Sequence, residues 1–400
     1  MDSSTVRLGV GGAAVVGVAF GMARYAYGLT LPDVRAEFGL SELLLGLIAS
    51  GTFAGYLAGL MCVPYVAARF GTRAPTTVGG LCGVAGAATV ALAPTPGLLA
   101  AGAVLAGSSA GWVWAPYSDI VAAMVPVRHR PTLLAVITTG TSGGLLGLGM
   151  LGVIATLTSW RLAWTGIALA AAVAAVINLR TVPRLRPRAG GPATPRPPLR
   201  RSMVRPLAYA VVYFAACTIY FTYASDAARS GGLAAAAGAT LIAVIGIGGL
   251  LGLRTGTVTG VIGPARAGAA CLVVVGGSLA LLALGRASLT MVLVSALLFG
   301  AAYMVGSAVL AIWTAEAVAD RPGDGFTVAL VVGAISSIVA PAAVGAFVPA
   351  LGLPAVLQLI AAASVLCGVL LWLLDRFRPT GASDRSVVRA ERCAETGVET

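Results

Sequence analysis

The sequence predicts an all-α membrane protein of twelve transmembrane helices in two pseudo-symmetric six-helix bundles, with both termini cytoplasmic. Three observations carry that expectation. The 400 residues are 58% hydrophobic and only 10% charged, with a mean hydropathy of +0.95. The apolar residues fall into long runs, and a single long polar stretch divides those runs into six and six. The arginines sit in alternate gaps between the runs. A soluble domain is about 45–50% apolar and about 25% charged, so this chain lacks the charge to cover a soluble surface. Disorder is excluded by the same numbers, because it needs low hydrophobicity.

A helix crossing about 30 Å of hydrocarbon needs about 20 residues. Cutting the runs at Pro, Gly and charge clusters gives spans at roughly 9–31, 43–67, 75–93, 97–121, 132–157, 161–181, 206–225, 232–254, 266–285, 288–315, 326–349 and 353–374. The first follows Arg7 and ends at Pro32; it is too long and Gly-rich to be only a signal peptide and reads as a retained span. The second and third flank the basic turn at Arg69 and Arg73, and Pro94 and Pro96 separate the third from the fourth. Arg128, His129 and Arg130 precede the fifth, Arg161 opens the sixth, and Pro206 opens the seventh. The end of the eighth is blurred by Thr255, Gly256, Thr257 and Gly260. Arg266, Arg286, Asp324 and Pro354 mark the starts of the last four. The domain reading is an N-terminal bundle over 1–182, an Arg/Pro-rich cytoplasmic linker over 183–205, a C-terminal bundle over 206–375 and a disordered cytoplasmic tail over 376–400.

The net charge of +12 comes from 26 basic residues, all arginine, against 14 acids. With both termini inside, the inner segments hold Arg7, Arg69, Arg73, Arg128, Arg130, eight from Arg180 to Arg205, Arg254, Arg266, Arg321 and five in the tail, 21 in all. The outer segments hold Arg35, Arg161, Arg229 and Arg286, which is 4. That asymmetry is the positive-inside pattern. It accounts for the basic balance without nucleic acid and makes the lipid bilayer the partner.

The halves echo one another. Pro64-Tyr-Val-Ala-Ala-Arg-Phe-Gly-Thr-Arg73 follows the second span and Gly256-Thr-Val-Thr-Gly-Val-Ile-Gly-Pro-Ala-Arg266 follows the eighth; Gly71 aligns with Gly263 at an offset of 192. Two such halves describe a transporter built from internal repeats. At these residues the chain resembles the major facilitator superfamily, whose loop between helices 2 and 3 reads G-x-x-x-D-R-x-G-R-[RK]. Arg69, Gly71 and Arg73 match; Pro64 and Ala68 replace the motif's Gly and Asp. The run Gly140-Thr-Ser-Gly-Gly-Leu-Leu-Gly-Leu-Gly149 looks like the family's Gly-rich fifth helix, without its Gly-Pro pair. The first span, with Gly21, Arg24, Tyr25, Tyr27 and Pro32, resembles a poorly characterised bacterial branch. The resemblance implies a central cavity lined by helices 1, 4, 7 and 10 and transport by alternating access.

Arg24 is the one arginine inside a span. An Arg there is costly unless it faces protein or water. Two readings stand: a fixed cavity charge for an anionic substrate group, or a structural Arg bonding carbonyls of helix 2, 5 or 11. Gly17, Gly21, Arg24 and Gly28 recur at helical spacing, a small-residue stripe that lets a neighbouring helix approach closely. In the fourth span Ser108, Trp112 and Asp119 share one face of a continuous helix, and Asp119 is the proton-coupling candidate. Arg24 and Asp119 lie about 20 Å apart along the membrane normal, too far to pair. Tyr27, Trp112, Tyr220 and Tyr303 are further candidate substrate contacts, and Trp313 is read as an interfacial anchor. Glu316, Asp320 and Asp324 face the basic loops of Arg69, Arg73, Arg128 and Arg130, and are expected to pair with them across the halves when the cytoplasmic side closes.

The six cysteines have no metal-site spacing, His129 stands alone, and no P-loop or nucleophile–base set is present. The expectation is therefore a non-enzyme without metal or cofactor, functional as a monomer in a bacterial inner membrane. It moves a small organic solute by alternating access with proton coupling, an organic anion held by Arg24 being one form. Alternatives are proton-driven efflux of a hydrophobic drug or metabolite, and a non-transporting membrane sensor that reuses the fold.

Overall fold

A computed structural model describes residues 3–183, 201–319 and 322–377, and among these the regular structure is entirely helical. Twelve helical spans are long and apolar enough to cross a membrane: α1 (Thr5–Phe38), α2 (Glu42–Phe70), α3 (Arg73–Ala91), α4 (Pro96–Met124), α5 (Thr132–Ala155), α6 (Trp160–Thr181), α7 (Arg201–Ser230), α8 (Ala235–Ile262), α9 (Pro264–Gly285), α10 (Leu289–Ala317), α11 (Gly323–Leu351) and α12 (Leu353–Arg376). Local chemistry sets their ends. Side chains of Ser41, Thr95 and Ser288 accept the backbone N–H of Leu44, Leu98 and Met291 and cap α2, α4 and α10. Gly39, at φ 60°, stops α1 in the left-handed conformation.

The turns after α2 and α8 carry the internal repeat into the backbone. Gly71 and Gly263, aligned by sequence, adopt nearly the same conformation (φ 91°, ψ 166° and φ 78°, ψ 158°). Each donates its N–H to the carbonyl four residues back, on Ala67 and Thr259. Only glycine takes this conformation without strain, which is why both turns keep it while the charges around it drift.

Two boundaries differ most from expectation. The first span continues to Phe38 rather than 31, because Asp33, Arg35 and Glu37 all find ion-pair partners that hold the extra turns. The eighth runs on to Ile262, through a 3₁₀ stretch at Leu250–Arg254 that carries the chain past Gly256 and Gly260. Arg201–Arg205 of the expected linker is helical and begins α7; the linker's 184–200 and the tail's 378–400 lie outside the described residues.

The odd and even spans alternate in direction. One end of the molecule, here the upper end, carries the turns around residues 39–41, 92–95, 156–159, 231–234, 286–288 and 352. The lower end carries those around 71–72, 125–131 and 263. The first six spans pack together, α3 against α4 and α6, and so do the last six, α9 against α10 and α12. The halves meet where α1 packs on α7, α2 on α11 and α5 on α8.

Small residues make these crossings possible, since association within lipid rests on close backbone packing. Gly17 and Gly21 lie against the α5 backbone at Gly140, Thr141 and Gly144. Gly28 lies so close to the Phe221 carbonyl of α7 that a Cβ would overlap it. The stripe seen in the sequence is thus split between two partners. Three spans are interrupted near their middles: α1 by a π-helical stretch at Gly17–Ala23 and a turn at Arg24–Tyr25, α4 between Gly111 and Trp114, and α8 at its 3₁₀ segment.

Candidate functional site

The break in α1 places Arg24 at the wall of a cavity between the halves. The cavity holds about 590 Å³ and takes side chains from α1, α2, α4, α5, α7, α8, α10 and α11. Its upper limit is set by Arg24, Tyr25, Thr141, Thr218 and Tyr303; toward the lower end it runs between Ala135, Leu253, Ile312, Phe326 and Leu330. Arg24 is the one charged side chain on this lining among the described residues.

Arg24 is 6% exposed, and its guanidinium sits in a box of rings. Its central carbon is 4.0 Å from the centroid of Tyr56, 4.9 Å from Phe53, 5.5 Å from Phe20 and 5.8 Å from Tyr25. Its Nε and Nη1 are buried without a hydrogen-bond partner, and no carboxylate pairs with it among the described residues. Cation–π contacts are worth about 0.5–2 kcal/mol each. They hold the ion in place and leave these two nitrogens without a hydrogen-bond partner. The structural alternative, an Arg bonding carbonyls of helix 2, 5 or 11, has no support in these contacts.

Beside Arg24 the halves touch through aromatic groups. Tyr25 stacks on Phe221 at 3.7 Å, and the Tyr25 and Tyr303 hydroxyls are 2.8 Å apart. Above this layer the upper end is shut. The Ser50 hydroxyl accepts the Ala342 N–H across the halves. At the top Arg35 makes two bonds to Asp226, at 2.5 and 2.9 Å, and a third to Glu42 at 2.8 Å; Arg229 reaches Asp33 at 2.5 Å. The Asp226 side chain is 6% exposed and that of Arg35 29%, so the pair is only partly screened. From Tyr25 to Arg35 the closed layer is about 15 Å thick, ten residues at 1.5 Å each.

Several residues singled out in the sequence lie elsewhere. Tyr303 lines the cavity. Tyr27 is in the closed layer, donating to the Leu45 carbonyl, and touches with Arg24 only a void of about 10 Å³, too small for a substrate. Ser108 and Trp112 face α2 and α3 rather than the cavity: Ser108 lies against Gly55, and Trp112 against Gly59 and Gly79. The turn at Trp112–Val113 breaks the helical phase, and Trp114 becomes the cavity residue instead. For the same reason Asp119 is off the cavity lining and exposed. Tyr220 is buried in the C-terminal half, bonded to Ser295 and stacked on Phe299. Trp313 is 8% exposed and packs on Tyr209, a core residue rather than an anchor.

At the lower end no ion pair joins the arginines to the acids of the opposite half among the described residues. Arg73 donates to the carbonyls of Leu179 and Val182, Arg130 to that of Val125, and Arg69 lies over Phe70. Arg128, Glu316 and Asp324 are exposed, and Asp320 is outside the described residues. The sequence reading missed Tyr56, Phe214 and Phe326 on the cavity wall, Phe53 beside Arg24, and the Arg35–Asp226 pair; none of these has a local signature.

The family model for the Major Facilitator Superfamily matches residues 13–285. The chain belongs to that superfamily. It is accordingly a multi-pass membrane transporter and not an enzyme. No curated protein matches it in sequence. Among solved structures, the chain is similar to a D-xylose-proton symporter (15% identity, 92% of this chain and 97% of that one, TM-score 0.73). It is also similar to the nucleoside transporter NupG (13%, 94% and 100%, TM-score 0.70). A third is a bacterial homologue of the human lysosomal transporter Spinster in an inward-facing and occupied conformation (14%, 94% and 98%, TM-score 0.74). At these identities the likeness is one of fold. In this superfamily member the cavity draws on eight helices, not only on the four the resemblance implied.

Proposed function

We propose that this protein is a secondary active transporter that moves a small organic anion across a bacterial inner membrane by alternating access. The carrying observation is Arg24: a buried cation on the cavity wall, boxed by aromatic rings, with no acidic partner among the described residues and two nitrogens free of hydrogen bonds. A substrate carboxylate is the counter-charge the guanidinium lacks among the described residues. The arginine distribution supports a cytoplasmic lower end, and with it an inward-open cavity under a closed outer layer.

In the complementary state the lower end closes, and Arg69, Arg73, Arg128 and Arg130 approach Glu316, Asp320 and Asp324. The proposed driving force is the proton gradient. No carboxylate lines the cavity among the described residues. The apolar walls at Phe214, Met304 and Phe326 support a second reading, efflux of a hydrophobic compound.

The test is transport into and out of proteoliposomes with and without an imposed pH gradient, screened over organic acids and neutral or cationic hydrophobic drugs. Transport of acids that responds to the gradient is expected. Transport confined to neutral or cationic drugs would overturn the proposal in favour of the second reading.

A further inference from the structure

We infer that the cavity selects a monoanion with one apolar body of aromatic or medium-chain size, such as an arylalkyl monocarboxylate. The inference rests on Arg24 as the anion contact and adds the shape and charge count of its ligand.

The charge count comes from the lining. One cation and no acid face the cavity among the described residues. A single negative charge on the ligand leaves the loaded site neutral. A second charge has only hydroxyls such as Thr138, Thr218 and Ser307 to meet it, and an incompletely paired charge is costly away from water. A cationic ligand meets Arg24 with no acid to offset it.

The shape comes from where Arg24 sits. It lies at the closed end of the cavity beside Tyr25 and Tyr303, so the ligand's charged end points there. The walls below are apolar: Phe214, Met304, Leu253, Ile312 and Phe326. Along α10 the lining runs from Tyr303 to Ile312, nine residues or about 14 Å. That is room for a ring on a short chain, or for about ten carbons. A volume of about 590 Å³ is ample for such a body and falls within the ordinary range of ligand sites, about 300–1,000 Å³. A short dicarboxylate or acetate fills only the Arg24 end and leaves the apolar wall unused.

Equilibrium binding to the purified full-length protein in lipid nanodiscs tests this, read by quenching of tryptophan fluorescence and by calorimetry. The probes are 4-phenylbutyrate, 4-phenylbutyramide, 4-phenylbutylamine, glutarate and acetate. Phenylbutyrate is expected to bind at least about tenfold tighter than the amide, glutarate and acetate, a gap of about 1.4 kcal/mol. The amine is expected to give no saturable binding. Arg24→Gln should abolish the preference for the acid over the amide, and Phe214→Ala should weaken phenylbutyrate several-fold while leaving acetate unchanged. Glutarate or acetate binding as tightly as phenylbutyrate, and depending on Arg24, overturns the apolar-body inference and leaves the anion reading standing. Phenylbutyrate affinity unchanged in Arg24→Gln overturns the anion reading itself. Absence of saturable binding by every probe overturns the inference.

Discussion

Replacing Asp226 by Asn should loosen the closed outer layer. The perturbation is small in volume and large in charge. Asp226 holds Arg35 from the opposite half by two bonds, at 2.5 and 2.9 Å, and its side chain is 6% exposed. A hydrogen bond to a charged group is worth about 1.5–3 kcal/mol. Asn keeps one acceptor and loses the charge and the second bond. Arg35 is 29% exposed and retains Glu42, so the lost energy is taken at the low end of the range, about 2 kcal/mol after allowing for solvent screening. The pair joins the halves only while the upper end is closed. The full amount, about 2 kcal/mol, therefore enters the equilibrium between the two states, a shift of about 30-fold toward an open upper end. The assay is a distance distribution between spin labels on Thr158→Cys and Ala287→Cys, two exposed upper-end positions in opposite halves, in a background without the native cysteines. The open-to-closed ratio should rise about 30-fold in Asp226→Asn. Arg35→Gln should do the same, and the double variant should add little to either. A folded Asp226→Asn protein with an unchanged distribution would refute the assignment of this pair as a latch.

Four other outcomes rest on particular contacts. Gly28→Ala should push the equilibrium the same way, because its Cβ would overlap the Phe221 carbonyl in the closed layer; a smaller upper-end distance would contradict this. Arg24→Lys should weaken anion binding by about tenfold or more, since an ammonium keeps the charge but loses the planar fork and its fit to four rings; equal affinity by calorimetry would argue against a guanidinium-specific site. Tyr220→Phe removes a buried bond to Ser295 and should cost about 1 kcal/mol of stability in thermal unfolding while leaving substrate affinity unchanged. Asp119→Asn should leave both anion affinity and the response to an imposed pH gradient unchanged in proteoliposomes, because its carboxylate is exposed and off the cavity lining.

The parts of this molecule legible in its sequence are those set by local chemistry or by the bilayer. Twelve spans are dictated by hydrophobic length, and the paired turns at Gly71 and Gly263 by a backbone that glycine alone adopts easily. Arg24 stood out because a charge within an apolar run needs a reason. The illegible parts depend on phase and on distant pairing. The face through Ser108, Trp112 and Asp119 assumed an unbroken helix, and the turn after Gly111 rotates the remainder of α4, exchanging Trp112 for Trp114 at the cavity. Arg35 and Asp226 are separated by 191 positions, and nothing in either neighbourhood announces the other. The ring box likewise joins Phe20 and Tyr25 of α1 to Phe53 and Tyr56 of α2, a register set by how the helices cross.

Arg24 as the substrate's counter-charge is the assignment on which the transport reading stands, and counterflow in proteoliposomes measures it without an imposed gradient. Vesicles preloaded with the organic acid found in the transport screen are diluted into its radiolabelled form, with wild type and Arg24→Gln reconstituted to equal density and equal thermal stability. The expected result is transient accumulation of label by wild type and none above protein-free vesicles for Arg24→Gln. Equal accumulation by the two proteins would contradict a counter-charge role for Arg24.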